Sequence, residues 1–397
     1  MSIRLFLFLG ILGWFGLGSK DKTTDTAQTT ETEDTSITND SSEEENKTIE
    51  EPSLPIEEAP LLFIERERPI LLQTVPEGIA GVDASNCVSC HSDITAQWKQ
   101  SPHRNAQRNL HYQEKLAEHA QSSLCSQCHA PLQLQHARIP TSYVDGDPLK
   151  PIFVDNPNWD AVLASESVGC ASCHIRDGKI LGVEANNNAP HNITVSTELT
   201  SSKSCADCHQ FSWDKLPFPM YNTFEEWRTS PQAQANIQCQ DCHMPPQATS
   251  NAFAEPIQSS HHFSQTATQA FAISVDLPSP NLKRAKDIPL QIQLRNVGAA
   301  HSIPTGNPWK QYHLVLSITD EKGKDLIPPQ EHMIGRGQDK DGNWTEDLRI
   351  PTAGSKTFDF TINISTKKKS GAGLLSLSLR KSKEETILLW DLPVVIQ

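Results

Sequence analysis

The chain has 397 residues, and 48 acidic against 34 basic side chains give it a formal net charge of −14 at pH 7. A balance this acidic argues against nucleic acid as a partner, and the length allows more than one hydrophobic core. All ten cysteines fall between positions 87 and 242, which already divides the chain into unlike parts.

The first element is an apolar run from Leu5 to Leu17, behind Arg4 and ending among Gly16, Gly18 and Ser19. Its length, about 13 residues, is short of the ~20 that cross a bilayer as a helix. With its basic start it reads as an export signal over residues 1–18. An uncleaved membrane anchor is the other reading, and the lack of a cysteine after the run argues against a lipid-bearing one. Residues 19–60 are an acidic Thr/Glu-rich linker, with 13 acids against three lysines between Lys20 and Pro60. Such a composition cannot bury enough apolar surface to offset chain entropy, so the linker is expected to be disordered. It carries most of the net charge, so the acidity does not describe the folded surface.

Residues 61–270 hold one pentapeptide five times: Cys87–His91, Cys125–His129, Cys170–His174, Cys205–His209 and Cys239–His243, each of the form C-x-x-C-H. Two thiols three positions apart can form thioethers to the two vinyl groups of one porphyrin, and the histidine that follows can bind its iron. The pattern therefore reads as covalent attachment of five c-type haems. The attachment residues are Cys87 and Cys90, Cys125 and Cys128, Cys170 and Cys173, Cys205 and Cys208, and Cys239 and Cys242; the proximal ligands are His91, His129, His174, His209 and His243. Zinc knuckles do not demand a histidine at the next position five times over. A thioredoxin-like motif would occur once beside a βαβ pattern, and a disulfide framework remains a further alternative.

Ten histidines lie outside the motifs, enough to give every iron a second axial ligand. His103 follows the first motif and His191 the third, each directly after a proline that stiffens its approach. One of His261 and His262 follows the last motif. His119, with His111 and His136, flanks the second motif. Helices are expected at 112–119 and 223–228, the latter with Thr223 as its cap and Glu226 three positions on. The segment is otherwise rich in Pro, Asn, Ser and Gln and poor in aliphatic residues, so porphyrin faces would have to supply its core. Trp98-x-x-Ser101-Pro102-His103 is echoed by Trp227-x-x-Ser230-Pro231-Gln232, with glutamine in place of histidine.

The motifs, the Trp98 to His103 stretch, Val168-Gly169-Cys170 and the ending Cys239 to Pro245 resemble the multihaem c-type cytochromes over about residues 85–265. Within them the chain is similar to the tetrahaem cytochromes of ammonia oxidation and to the wider group of hydroxylamine oxidoreductase and pentahaem nitrite reductase. The resemblance implies closely packed, mostly bis-His haems that form an electron wire. It also implies export, since c-type haem is attached outside the cytoplasmic membrane, and hence the periplasm or cell envelope of a Gram-negative bacterium. The nitrite reductases attach their catalytic haem through C-x-x-C-K, whereas all five motifs here end in histidine.

After Cys242 the pattern turns to alternation, at Ile288–Arg295, His313–Ile318, Phe358–Ile362 and Leu374–Leu379, with turns such as Lys322-Gly323-Lys324 and Asp341-Gly342-Asn343 between. Residues 271–397 are expected to form an immunoglobulin-like β-sandwich. The fold class is thus a mainly α/loop multihaem segment followed by an all-β sandwich. The loop Gly298-Ala299-Ala300-His301-Ser302-Ile303-Pro304-Thr305-Gly306 is similar to loops of β-domains appended to multihaem cytochromes, which implies that His301 faces a haem and binds its iron. The expected function is electron transfer between redox partner proteins, such as a quinol dehydrogenase or other cytochromes, with an envelope-membrane association. The alternative is an oxidoreductase acting on a small nitrogen or sulfur compound at one open iron.

Overall fold

The computed structural model describes residues 3–7, 69–118, 123–147, 150–186, 188–212, 216–248, 257–263, 270–381 and 385–397. The linker, most of the expected export signal, and His119 lie outside these residues. The described residues belong to one compact unit.

The β-rich part is built from alternation. Phe271–Leu277, Ile288–Asn296, Tyr312–Asp320 and Ser355–Ile362 each bury every second side chain, the pattern of a strand with one face on a core. Ile3–Leu7, Phe271–Leu277, Ile288–Asn296 and Ser355–Ile362 pair in that order as one antiparallel sheet. The second sheet runs Asn281–Leu282, Thr386–Ile396, Gly371–Arg380, Tyr312–Asp320, Gln330–Ile334, and only its first pairing is parallel. Register sets apolar residues opposite one another, Leu290 against Phe360 in the first sheet and Leu314 against Leu379 in the second. Inward residues of both sheets, among them Ile292, Leu294, Leu316, Ile318 and Leu377, form one fully buried core.

The motif-bearing part is different. Its helices are short, the longest being Ser92–Gln100 and Leu110–Glu118, and its buried apolar cluster consists only of Val82, Leu132, Leu163, Ala171 and Ile175 among the described residues. The peptide is instead held by side chains that satisfy the backbone. The Trp98/Trp227 echo is one such device. Both indole N–H groups donate to carbonyls, of Val168 at 2.8 Å and Ile237 at 2.9 Å. Both serines are 1% exposed, and their hydroxyls cap the next turn, Ser101 accepting from Arg104 N and Ser230 from Ala233 N. The repeat is thus one structural turn used twice.

One local expectation is corrected. The helix Thr223–Arg228 spans the expected residues, but its cap is Asn222 rather than Thr223, with no side-chain cap bond. Glu226 does not close a capping box. Its carboxylate is taken up by the β-domain, where Ser302 N donates to Oε2 at 2.9 Å and Arg349 Nη1 to Oε1 at 2.8 Å. Arg349 is further held by Asp347. Thr223 and Thr305 hydroxyls meet at 2.7 Å, and Phe218 packs on Trp344 beneath the Arg336 guanidinium. The two halves of the chain are therefore docked through charged and aromatic contacts around the His301 loop.

Candidate functional site

Each motif sits on a single turn of helix. His91 N donates to Cys87 O, and His174 N to Cys170 O, both at 2.9 Å. This spacing brings positions i, i+3 and i+4 to one face, so both thiols and the imidazole point the same way. Motifs two to five end the helices Ser123–His129, Ala171–His174, Lys203–His209 and Cys239–His243. Buried Arg176 donates to the carbonyls of Ala171 and Ser172 and so satisfies the end of the third helix. The fourth and fifth helices are clamped reciprocally: Ser202 N donates to Gln238 Oε1 at 3.0 Å, and Cys239 N to Ser202 Oγ at 2.9 Å.

Four motif histidines each face one distant histidine. Ring centroids lie 6.5 Å apart for His91 and His191, 6.3 Å for His209 and His103, 6.2 Å for His174 and His261, and 6.2 Å for His243 and His301. These rings are too far apart to touch, yet the spacing is nearly constant. A metal–nitrogen bond of about 2 Å, plus about 1.1 Å from nitrogen to ring centre, on both sides of one ion gives about 6.2 Å. The chain thus holds four gaps of the width that an iron between two imidazoles would need.

The rings are also oriented for it. Nδ1 of His174, His261 and His301 donates to the carbonyls of Leu181, Ser259 and Ser302 at 2.8, 2.9 and 3.1 Å, leaving Nε2 with its lone pair free for a metal. His191 presents a buried Nδ1 with no hydrogen-bond partner in the protein. Burial and neighbouring histidines push His103 down to about 3, and His209 and His261 to about 4. These rings are neutral at physiological pH, the form that binds metal.

Partners are not those nearest in sequence. His103 lies beside the first motif but meets His209 of the fourth, and His191 follows the third motif but meets His91 of the first. His262 is in none of the four pairs. His111 lies 6.4 Å from Trp309, and His136 is bonded through Nε2 to Ala130 O at 2.7 Å. His129 of the second motif is set apart. Its Nδ1 donates to Ala106 O at 2.9 Å, but its ring stacks on Tyr112 at 4.0 Å and 14°, and it faces no second imidazole among the described residues. Tyr112, and Phe263 packed 4.1 Å from His103, were not signalled by the sequence: neither has a motif or a spacing of its own.

Cysteines of different motifs are neighbours. Cys87 lies beside Cys170, Cys128 beside Cys208, and Cys205 beside Cys239. Cys173 also lies within electrostatic range of Cys205 and Cys208. The attachment points of all five motifs therefore form one connected set, with the fourth motif at its junction.

Five thiol-pair turns and four imidazole gaps define a multihaem c-type cytochrome. Residues 86–145 and 180–244 match the family of cytochrome c554 and c-prime, and this motif-bearing part of the chain is similar to that family. The match takes in four of the motifs and leaves out the third. Among solved structures, a penta-heme cytochrome c552 from Thermochromatium tepidum is similar at TM-score 0.55 and 17% identity, over 79% of this chain and 99% of that one. At that identity the likeness shows the fold: a helix and loop cytochrome region followed by a β-rich region. The C-terminal domain of Wzt matches over 32% of this chain and 70% of its own at TM-score 0.21 and 12% identity, too low to carry weight. No curated protein matches the chain.

Proposed function

We propose that this protein is an exported electron carrier with five covalent haems, four of them bis-His. The observation that carries this is the set of four imidazole gaps at nearly one spacing, each joining a C-x-x-C-H histidine to one from elsewhere. When bound, the haems supply one-electron redox chemistry. His91 with His191, His209 with His103, His174 with His261, and His243 with His301 would each hold one iron between them, which favours passage of electrons over binding of a substrate. The neighbouring cysteines of different motifs support an order of haems running through the first, third and fourth motifs, with the second and fifth beside the fourth. Partners are redox proteins of the cell envelope, such as a quinol dehydrogenase or other cytochromes.

The β-domain, whose strand order is that of an immunoglobulin-like sandwich, donates the His301 ligand and fixes it through Glu226 and Arg349. A second reading rests on His129. Its iron has no facing imidazole among the described residues, and could take a small nitrogen or sulfur ligand as an oxidoreductase would. Carbon monoxide added to the reduced protein separates the two. Binding to no more than one haem in five, with no turnover of nitrite or hydroxylamine, supports the carrier. Binding at several haems overturns it.

A further inference from the structure

Glu166 is buried, 5% exposed, and belongs to none of the imidazole pairs. Its Oε1 accepts from Ala84 N at 2.7 Å, three residues before Cys87. Its Oε2 is buried without a hydrogen-bond partner in the protein. A Cβ added at Gly169 would stand 2.7 Å from that oxygen, so the glycine before Cys170 is what leaves the carboxyl its room. Glu166 therefore bridges the approaches to the first and third motifs, whose Cys87 and Cys170 lie side by side. On its other side is an open cleft where Asp83, Lys99, Arg104 and Glu166 stand beside apolar Trp98 and Val162. Lys99 is exposed, so the cleft reaches the surface and its water.

An unpaired buried carboxylate is costly, and nothing in the four-pair wiring requires one. The groups facing it are Asp83 before the first motif, Arg104 after the helix Ser92–Gln100, Asp160 at the cap of Ala161–Ala164, and the two thiols. Burial, reinforced by Asp83 and Asp160 and opposed by the Ala84 N–H and Arg104, raises the Glu166 carboxyl to about 7.

We propose, resting on the haem assignment above, that Glu166 is a redox-linked proton site serving the haem pair of the first and third motifs. Glu166 carboxylate takes one proton from the cleft water to become the carboxylic acid, while one electron from a one-electron donor takes one iron of the pair from ferric to ferrous. Net charge in the buried pocket is unchanged. Release of the electron to the next haem returns the proton. The coupling follows from the added negative charge, which interacts strongly with a carboxylate in a poorly screened interior.

The test is a spectroelectrochemical titration of the full-length holoprotein from pH 5.5 to 8.5, beside Glu166→Gln, with haem content measured on both. In the wild type at least one midpoint potential falls as pH rises through the neutral range, towards the one-electron limit of about 59 mV per tenfold change in proton concentration. In the variant that dependence is lost while five haems remain. An equal slope in both proteins overturns the proposal and leaves the haem assignment standing; missing haems in the wild type overturn the assignment. Should Glu166→Gln fail to mature, redox-difference infrared spectra of wild type labelled with 13C at the glutamate carboxyl decide it. A protonated-carboxyl band that grows on reduction and shifts with the label supports Glu166, whereas a band that ignores the label belongs to haem propionates or aspartates and refutes it.

Discussion

The Glu226 latch gives the sharpest quantitative expectation. Its carboxylate accepts from Ser302 N and from Arg349, whose side chain is 13% exposed against 11% for Glu226. Glu226→Ala removes a charge-assisted bond to a backbone N–H next to His301, worth about 1.5–3 kcal/mol. It also removes half of the partners of a largely buried guanidinium. Breaking a buried pair costs about 3–5 kcal/mol, but Arg349 keeps Asp347 at 2.8 Å, so the loss is smaller. Together the docked arrangement of the His301 loop should weaken by roughly 2–4 kcal/mol, about 30-fold to nearly 1,000-fold in the ratio of docked to undocked loop. Carbon monoxide can reach the fifth-motif iron only when His301 leaves it. In Glu226→Ala the rate of carbon monoxide binding there should rise by a factor in that range, measured by stopped flow on the reduced protein, with His301→Ala as the fully open control. An unchanged rate, in a variant that His301→Ala shows to be measurable, refutes the idea that Glu226 holds the ligand loop.

Other expectations follow from single contacts. His103→Ala, His191→Ala and His261→Ala should each convert one low-spin ferric haem to high spin in electron paramagnetic resonance, whereas His262→Ala should convert none. Ser101→Ala and Ser230→Ala should each lower stability by about 1 kcal/mol through loss of a turn cap, read as a reduced melting temperature. Leu316→Ala, in the fully buried sandwich core, should cost about 2–5 kcal/mol, seen by calorimetry. Since the folded Glu166 carboxyl lies above its usual range, near 7, its contribution to stability is fully present below about 4.5 and is lost as pH rises through about 7. Glu166→Gln should therefore gain melting temperature relative to wild type at pH 8 compared with pH 5; an equal difference at both would contradict this.

The β-domain was legible because alternation is local. Four strands were placed by period alone, and the structure extends them only by a residue or a few at their ends. The motif turns were legible for the same reason, since two cysteines and a histidine within five residues need no tertiary information. The pairing of histidines was not. His103 crosses to the fourth motif because the Trp98 to Ser101 turn aims it away from the first, and His191 returns past His174 to reach His91. Such placements depend on how separate loops close around a common centre, and sequence distance carries no trace of them. The role of Glu226 was misread for a related reason. Three positions after a threonine it looks like part of a local cap, but Arg349 and Ser302, more than 70 residues away, compete for it and win. Glu166 shows no signal beyond its nearness to Cys170, because burial and an unsatisfied oxygen are properties of the fold.

The central claim is that four histidine pairs hold four irons. Near-infrared magnetic circular dichroism of the oxidised holoprotein counts ferric haems with two imidazole ligands. The account predicts four such haems per chain, arising from the pairs at 6.2 to 6.5 Å. Fewer than four would contradict it.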